Sequence, residues 1–302
     1  MNPTLRAELS VRVAGIEALP TVPAAIRPLL DLLAKPTDDV DMEKLVESVA
    51  VDKTIAAQVL RVCNSPLYAR QGTIESVRGG VMTLGLRRIQ EIVFACTFCQ
   101  SLRFPAVSFD PLVFWRHSLG CALVSRRFSA RIEFAGPEVA YLAGLLHDIG
   151  FQVNAQIDPL RWKQVVHQAL TAHVPMLEAE SSILGFTHCQ SGRILAERWQ
   201  LPQSVADVIE FHHLADEEAQ PNDLVSIVHI ADLLCRMRDM GYGYYEPMRV
   251  DLMGDPAWAQ LAKTHQKLAS MDLALFTFEL DALMDEVQGM VDEIFGVAAV
   301  TR

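Results

Sequence analysis

The sequence predicts an all-α protein, a bundle of helices. Apolar residues recur at spacings of three and four along almost the whole chain, and no convincing run alternates apolar with polar residues. The hydrophobic fraction is 51% and the charged fraction 21%, which is typical of a chain that buries a core. With 302 residues, the chain can form one large or two medium domains.

The first hundred residues are predicted to form several short helices. The apolar sets are Met42, Leu45, Val46 and Val49 in one helix, and Ile55, Val59 and Val62 in the next. The second helix must stop near Asn64, because Pro66 disfavours helical geometry at the residue before it. A third helix is expected to begin at Ser76 as N-cap and to end at Gly85, before a helix that carries Arg87.

Composition also predicts the domain boundaries. Residues 104–111 contain two prolines and few helix formers, so we expect a linker there and a boundary near residue 108. The expected regions are an N-terminal bundle over 1–108, a histidine-bearing region over 109–240, and a last region over 241–302. The last region holds a Gly- and Pro-rich loop and an amphipathic helix that packs on the bundle. The apolar residues of that helix are Leu280, Leu283, Met284, Val287, Val291 and Ile294.

Charge and hydropathy exclude several classes of partner. The formal net charge of −11 opposes binding to a phosphate backbone, so nucleic acid is an improbable partner. A helix-turn-helix that uses Arg87 and Arg88 stays as a minor alternative. No apolar run reaches the ~18 residues of a membrane span, and we expect a cytoplasmic protein. The six cysteines are expected to be reduced and buried, including the CxxC pair Cys96 and Cys99.

Five polar groups fall on otherwise apolar helix faces. They are His117, His147 with Asp148 directly after it, His188, His212 and Asp232. Singly, each could be a core residue with a hydrogen-bond partner. Together they would cost ~1–3 kcal/mol each if left unpaired, and one shared divalent cation would satisfy them all. Imidazole and carboxylate donors favour iron, manganese, zinc or nickel, held as one or two ions.

Several of these residues stand in motifs of a known family. His147-Asp148-Ile149-Gly150 and the distal His229-Ile230-Ala231-Asp232 resemble the HD superfamily of metal-dependent phosphohydrolases. Other motifs resemble one branch of that superfamily, the HDOD domain. They are Leu19-Pro20 with Pro23, Asp52, Asn64-Ser65, Leu84-Gly85 and the segment 180–213. The resemblance covers about residues 15–237, and it implies a helical fold found in bacterial signalling proteins.

The resemblance also implies roles for individual residues. His117, His147, Asp148 and Asp232 match the four metal ligands of the HD superfamily. His188, His212 and His213 match the additional histidines of the related HD-GYP branch, which hydrolyses cyclic di-GMP. We also expect a surface for a protein partner near Asn64, Ser65, Leu84 and Gly85.

The chain departs from the active HD-GYP pattern at several positions. Phe151 stands where a lysine follows the HDIG motif, so a phosphate-binding cation is lost. Val113 stands where some relatives carry a ligating glutamate, so a third metal is not expected. Residues 214–217 replace the acidic residue and GYP loop. The later segment 241–247, GYGYYEP, is interpreted as a chance similarity because it follows Asp232.

Two functions therefore stay open. The first is a signalling or regulatory module that retains the metal site and acts mainly on signalling proteins of two-component or cyclic-dinucleotide networks, or on a nucleotide ligand. The second is a metal-dependent phosphohydrolase that acts on a nucleotide or cyclic dinucleotide. Ligand retention predicts metal binding but not turnover, because catalysis also needs groups that orient the substrate.

Overall fold

The structure, a computed structural model, describes residues 1–16, 30, 42–50, 52–68, 73–101, 110–213, 222–246 and 251–296. Every regular element within those ranges is a helix, so the predicted all-α fold is confirmed. The predicted Leu19-Pro20 and Pro23 motif, the linker over 104–109 and the replaced loop over 214–217 lie outside the described residues.

The helices are numbered in chain order. The first eight are α1 Pro3–Ala14, α2 Met42–Ala50, α3 Lys53–Cys63, α4 Val77–Leu84, α5 Leu86–Ser101, α6 Pro111–Arg131, α7 Pro137–Leu146 and α8 Gly150–Ile157. The others are α9 Pro159–Thr171, α10 Met176–Ile183, α11 His188–Arg198, α12 Gln203–Phe211, α13 Asp223–Arg236, α14 Pro256–Thr264, α15 Gln266–Ala269 and α16 Leu273–Phe295. In the described part of the chain, no helix is long and apolar enough to cross a membrane.

Contacts divide the chain into two units whose bounds differ from the predicted ones. One unit is Met1–Leu19 with Phe104–Leu280, and the other is Pro20–Arg103 with Asp281–Arg302. Helix α1 joins the histidine-bearing unit because Leu9 and Val13 are fully buried there. Arg198 Nη1 also donates to the Val13 carbonyl at 2.6 Å. At the other end of the chain, α16 contributes residues to both units.

Local capping shapes the smaller unit as the sequence predicts. The Ser76 hydroxyl accepts the Gly79 N–H at 3.0 Å, and Gly85 follows α4 at φ +88°. Arg88 binds Glu91 and Glu286, so the helix-turn-helix alternative loses a phosphate contact. Glu286 belongs to α16, which is the amphipathic helix that the sequence predicts near the end of the chain.

The partner surface predicted in this unit is smaller than the sequence indicates. Ser65 is buried, so it cannot line such a surface, and Leu84 is only half-buried. The Asn64 side chain is engaged within the fold: its amide donates to Leu60 and Ile74 carbonyls, and its oxygen accepts the Ile74 N–H, each at 2.8 Å. Asn64 therefore has a structural role, and it remains exposed, as does Gly85, beside the half-buried Leu84.

In the larger unit, two glycines let helices approach closely enough to bring the predicted ligands together. A Cβ at Gly144 of α7 would lie 2.6 Å from the Cys121 carbonyl oxygen of α6. A Cβ at Gly150, the first residue of α8, would overlap the carbonyl oxygen of His188 at the start of α11. Glycine is therefore required at both positions, because backbone cannot yield as a flexible side chain does.

We expect Gly150→Ala to lower the free energy of unfolding by about 3 kcal/mol, the upper end of the usual cost of overpacking, because the added methyl group separates α8 from α11. The matched control is Gly289→Ala on α16, where the nearest atom is 3.6 Å away. That change should be neutral or should stabilise the protein by up to about 1 kcal/mol. Urea unfolding of both variants tests the difference, and equal effects would contradict the close approach at Gly150.

Candidate metal centre

The seven residues predicted as metal ligands converge in the larger unit. His117 lies within α6 and Asp232 within α13, while the others stand at helix ends, where backbone direction changes. His147 and Asp148 follow α7, His188 opens α11, and His212 and His213 follow α12. All are buried except His213, which is half-buried.

Asp148 lies at the centre, and its two carboxylate oxygens face two groups of histidines. Oδ2 is 3.0 Å from His147 Nε2 and 3.6 Å from His117 Nε2. Oδ1 is 3.3 Å from His188 Nε2 and 3.2 Å from His212 Nε2. One carboxylate therefore stands between two possible ion positions.

We call the two groups cluster A and cluster B. Cluster A consists of His117, His147 and Asp232, and His117 Nε2 lies 3.2 Å from Asp232 Oδ1. Cluster B consists of His188, His212 and His213, and the Nε2 atoms of His188 and His213 are 3.1 Å apart. In each cluster, the ligand atoms lie within 4.8 Å of one another, which is close enough to share an ion.

Hydrogen bonds at the outer ring nitrogen orient four of the imidazoles. In each ring Nδ1 faces an acceptor, so Nδ1 carries the hydrogen and Nε2 points at the centre. The pairs are His117 with the Met240 carbonyl at 2.8 Å, His147 with the Gly144 carbonyl at 2.7 Å, His188 with Glu180 Oε2 at 2.7 Å, and His212 with the Val208 carbonyl at 3.2 Å. Histidines that bind metals in proteins are held in this way.

Three buried atoms at the centre have no hydrogen-bond partner: His147 Nε2, His212 Nε2 and Asp148 Oδ1. Leaving such atoms unsatisfied costs about 1–3 kcal/mol each. A cation between Nε2 lone pairs and carboxylate oxygens removes that cost, so the residues present fit a divalent metal.

The electrostatics of the site follow from its burial. Burial acts to raise the pKa of Asp148, but His147, His188 and His212 hold it well below its usual value. Burial likewise opposes ionisation of Asp232, and Arg236 lowers its pKa. Burial lowers the pKa of His212 to about 4, against the opposing effect of Asp148. The two carboxylates are therefore ionised and His212 is neutral, which are the forms that bind metal. Burial opposes protonation of His147 and His188, but Asp148 raises the pKa of His147, and Cys189 and Glu180 raise that of His188, so a bound cation must displace protons from these two rings.

Glu180, which the sequence-based ligand set does not include, holds His188 in place. Its side chain is fully buried on α10. Glu180 Oε2 accepts the backbone N–H of His188 at 3.0 Å as well as the Nδ1 hydrogen, and Oε1 accepts from Asn154 at 2.8 Å. The sequence feature that could have identified Glu180 is its position on the same helix face as the buried Met176 and Ala179, where a carboxylate needs a partner.

The segment 241–246 lies at the site, although the sequence analysis gave it no role there. Tyr242 Oη donates to Asp148 Oδ2 at 2.8 Å, and its ring centroid is 4.5 Å from that of His117. Tyr244 stacks on Tyr242 at 5.4 Å. Arg236, at the end of α13, forms ion pairs with Asp232 of cluster A and with Glu246, and so links the segment 241–246 to cluster A.

Phe151 and Val113 occupy distinct positions around the site. Phe151 is fully buried, with its ring 4.2 Å from that of His188 and 5.4 Å from that of Tyr242. Val113 lines a cavity of about 450 Å³ that Tyr242 and Tyr244 also line. The walls of the cavity also include Arg116, Arg236, Asp239 and Glu246, so two guanidinium groups lie beside the tyrosines.

The cysteines behave as predicted. All six are free and buried. The CxxC pair, Cys96 and Cys99, lies in the smaller unit on α5, and burial raises the pKa of both thiols. This pair therefore has the environment of core thiols.

Comparison with known proteins places these features in a family. A family model described as the HDOD domain matches residues 19–215. A solved HDOD domain protein of unknown function from Geobacter sulfurreducens is 30% identical, with a TM-score of 0.79, and covers 97% of this chain and 99% of its own.

Other relatives share the fold at lower identity. A candidate signal transduction protein from Marinobacter aquaeolei, 22% identical, has a TM-score of 0.74 over 96% of this chain and 65% of its own. A candidate phosphohydrolase from Shewanella amazonensis, also 22% identical, has a TM-score of 0.68 over 94% and 97%. An uncharacterised protein of Treponema pallidum is 23% identical over 241 residues, which are 78% of this chain. The match spans about half of that relative, 46% of its length.

We expect Glu180→Ala to lower the free energy of unfolding by about 3–5 kcal/mol in the presence of chelator, because it removes one partner of a buried ion pair. Glu178→Ala on the same helix changes an exposed carboxylate and should have an effect within about 0.5 kcal/mol. Urea unfolding measures both. A Glu180 effect no larger than that of Glu178 would show that the buried carboxylate does not support His188.

Proposed function

Since this chain belongs to the HDOD family, we propose that it is a bacterial signalling module in which a buried His/Asp centre holds one or two divalent transition-metal ions. In this proposal the module acts mainly through interactions with signalling proteins or a nucleotide, rather than by turnover. The observation that carries it is the hydrogen bond of Tyr242 to Asp148, which closes the centre on the side of the cavity.

The donor set supports metal binding. Cluster A offers two imidazoles and the Asp232 carboxylate, cluster B offers three imidazoles, and Asp148 faces both. Such donors suit iron, manganese, zinc or nickel better than magnesium or calcium. The neutral His212 and the ionised Asp148 are already in the protonation states that a cation requires.

The surroundings of the centre favour holding a metal over turning over a substrate. Tyr242 occupies one side of Asp148, and the Phe151 ring lies against His188. At position 151 the chain places an apolar ring where a lysine would bind phosphate. Sites in which protein groups enclose the metal are typical of structural zinc, whereas catalytic sites keep an open position for water or substrate.

The phosphohydrolase alternative is favoured by a different observation, the cavity beyond the tyrosines. Arg116 and Arg236 lie on its wall and could bind a phosphate once Tyr242 moves. In that alternative, divalent ions would supply Lewis acidity to a phosphoryl group or to water. Asp148 and the clusters would hold the ions, and the guanidinium groups would orient a nucleotide or cyclic dinucleotide.

Signalling partners are proposed from the family and from the exposed part of the smaller unit. The surface near Asn64 and Gly85 remains the proposed contact region, reduced by the burial of Ser65. Proteins of two-component or cyclic-dinucleotide networks are the proposed partners, and a relative from Marinobacter aquaeolei is a candidate signal transduction protein.

Elemental analysis of protein purified without added metal should find one or two transition-metal ions per chain. Asp148→Ala should abolish the retained metal, because it removes the carboxylate that faces both clusters. A folded wild-type protein that contains no metal, and takes up none on titration, would contradict the metal centre.

The same metal-loaded preparation tests turnover. We expect hydrolysis of cyclic di-GMP at the background rate for the wild type. Opening the centre with Tyr242→Ala should also give no activity, since the cation at position 151 is missing. Tyr245→Ala, an exposed tyrosine in the same segment, is the matched control. Robust turnover that Asp148→Ala abolishes would overturn the non-enzymatic function and support the phosphohydrolase.

A further inference from the structure

A cysteine lies beside each cluster, although neither was among the predicted ligands. Cys189 Sγ is 3.5 Å from His188 Nε2 of cluster B. Cys121 Sγ is 3.5 Å from His117 Nε2 of cluster A. The Cys189 thiol therefore lies beside the ring nitrogen that points at the centre, whereas the Cys121 thiol lies beside both nitrogens of His117, with Nδ1 at 4.0 Å.

The spacing around Cys189 matches the edges of a tetrahedral metal site. With metal–nitrogen bonds near 2.05 Å and metal–sulfur bonds near 2.3 Å, neighbouring ligand atoms are about 3.3 Å apart for two nitrogens and about 3.6 Å apart for nitrogen and sulfur. His188 Nε2 lies 3.1 Å from His213 Nε2 and 3.5 Å from Cys189 Sγ. All four candidate donors, including His212, lie within 4.8 Å of one another.

Each cluster has a thiol within 4.8 Å of its other candidate donors and one buried ring nitrogen without a hydrogen-bond partner, His147 Nε2 in cluster A and His212 Nε2 in cluster B. Two further observations favour Cys189 over Cys121 as a ligand. The Cys121 thiol interacts with the Cys235 thiol. Cluster A also has a carboxylate of its own, Asp232, at 3.2 Å from His117, whereas cluster B has none.

We propose that Cys189 is a metal ligand, and that with His188, His212 and His213 it makes cluster B a zinc-selective site with three nitrogens and one sulfur. The proposal rests on the metal centre of the proposed function and specifies its ligand class. On binding, the thiol loses its proton to solvent as the sulfur–metal bond forms, with no change of oxidation state. Thiolate donors favour zinc over manganese or magnesium, so the two clusters differ in the ions that they select.

Cobalt(II) provides the direct test, because sulfur ligation adds a thiolate-to-cobalt charge-transfer band that imidazole and carboxylate ligands do not give. The full chain, stripped of metal, is titrated with cobalt and then with zinc. The variants are Cys189→Ser and, as the comparison, Cys121→Ser. Far-UV circular dichroism and urea unfolding in chelator establish that each variant is folded.

The wild type and Cys121→Ser should show the charge-transfer band, and Cys189→Ser should lose it while keeping the ligand-field bands of the remaining donors. Zinc affinity should fall in Cys189→Ser by more than the ~10–100-fold typical of losing an outer partner, with a smaller change for manganese. If Cys189→Ser does not fold, the cobalt spectrum of Cys189→Ala is compared with that of the wild type, and the charge-transfer band should be absent from the variant.

Three results would overturn the proposal. Cobalt binding by the wild type without a thiolate band would leave the metal centre standing but exclude sulfur ligation. Loss of the band in Cys121→Ser instead of Cys189→Ser would assign the sulfur to cluster A. No cobalt uptake by folded protein would contradict both the ligand and the metal centre of the proposed function.

Discussion

The burial of the Asp148 carboxylate among four imidazoles is the constraint on which the larger unit depends. A buried, unpaired charge is expensive, and here each carboxylate oxygen faces two ring nitrogens within 3.6 Å. Those rings come from α6, α11 and the ends of α7 and α12, so the helices must converge at this point. Gly144 and Gly150 permit the convergence, because any side chain there would meet the backbone of a neighbouring helix.

The ligands could be predicted from sequence because each is a polar residue on a strongly periodic apolar face. Helical periodicity fixes which face is buried, so His117 and Asp232 had to point inward. Family resemblance added His213, which periodicity alone did not identify. The all-α fold was predicted for the same reason.

Other contributors could not be predicted, and the causes differ. Tyr242 lies in a segment without periodicity, and its place depends on how the chain returns after α13, where the Met240 carbonyl meets His117. Cys189 follows His188 directly, and adjacent helical residues ordinarily do not face one another. Its Sγ nevertheless lies 3.5 Å from His188 Nε2. Helix α1 buries only Leu9 and Val13. Two apolar positions in a helix are too few to predict from sequence which of the two units it belongs to.

Function depends on what closes the centre. Arg236 links Asp232 to Glu246, and Tyr242 links the same segment to Asp148, so the segment 241–246 is tied to the centre at two points. This arrangement supports the proposed signalling module, in which the centre would hold its metal without turnover. The cavity lined by Arg116 shares Arg236, Tyr242 and Glu246 with these two links.

The central claim is that Asp148 stands between two positions at which a divalent ion can bind. Crystals of metal-loaded protein, measured with X-rays on either side of the metal's absorption edge, test it most directly. We expect two anomalous difference peaks about 3.5–4 Å apart, one toward His117 and His147 and the other toward His188 and His212. A single peak on one side of Asp148 would reduce the centre to one ion, and no peak near Asp148 in fully loaded protein would contradict the account.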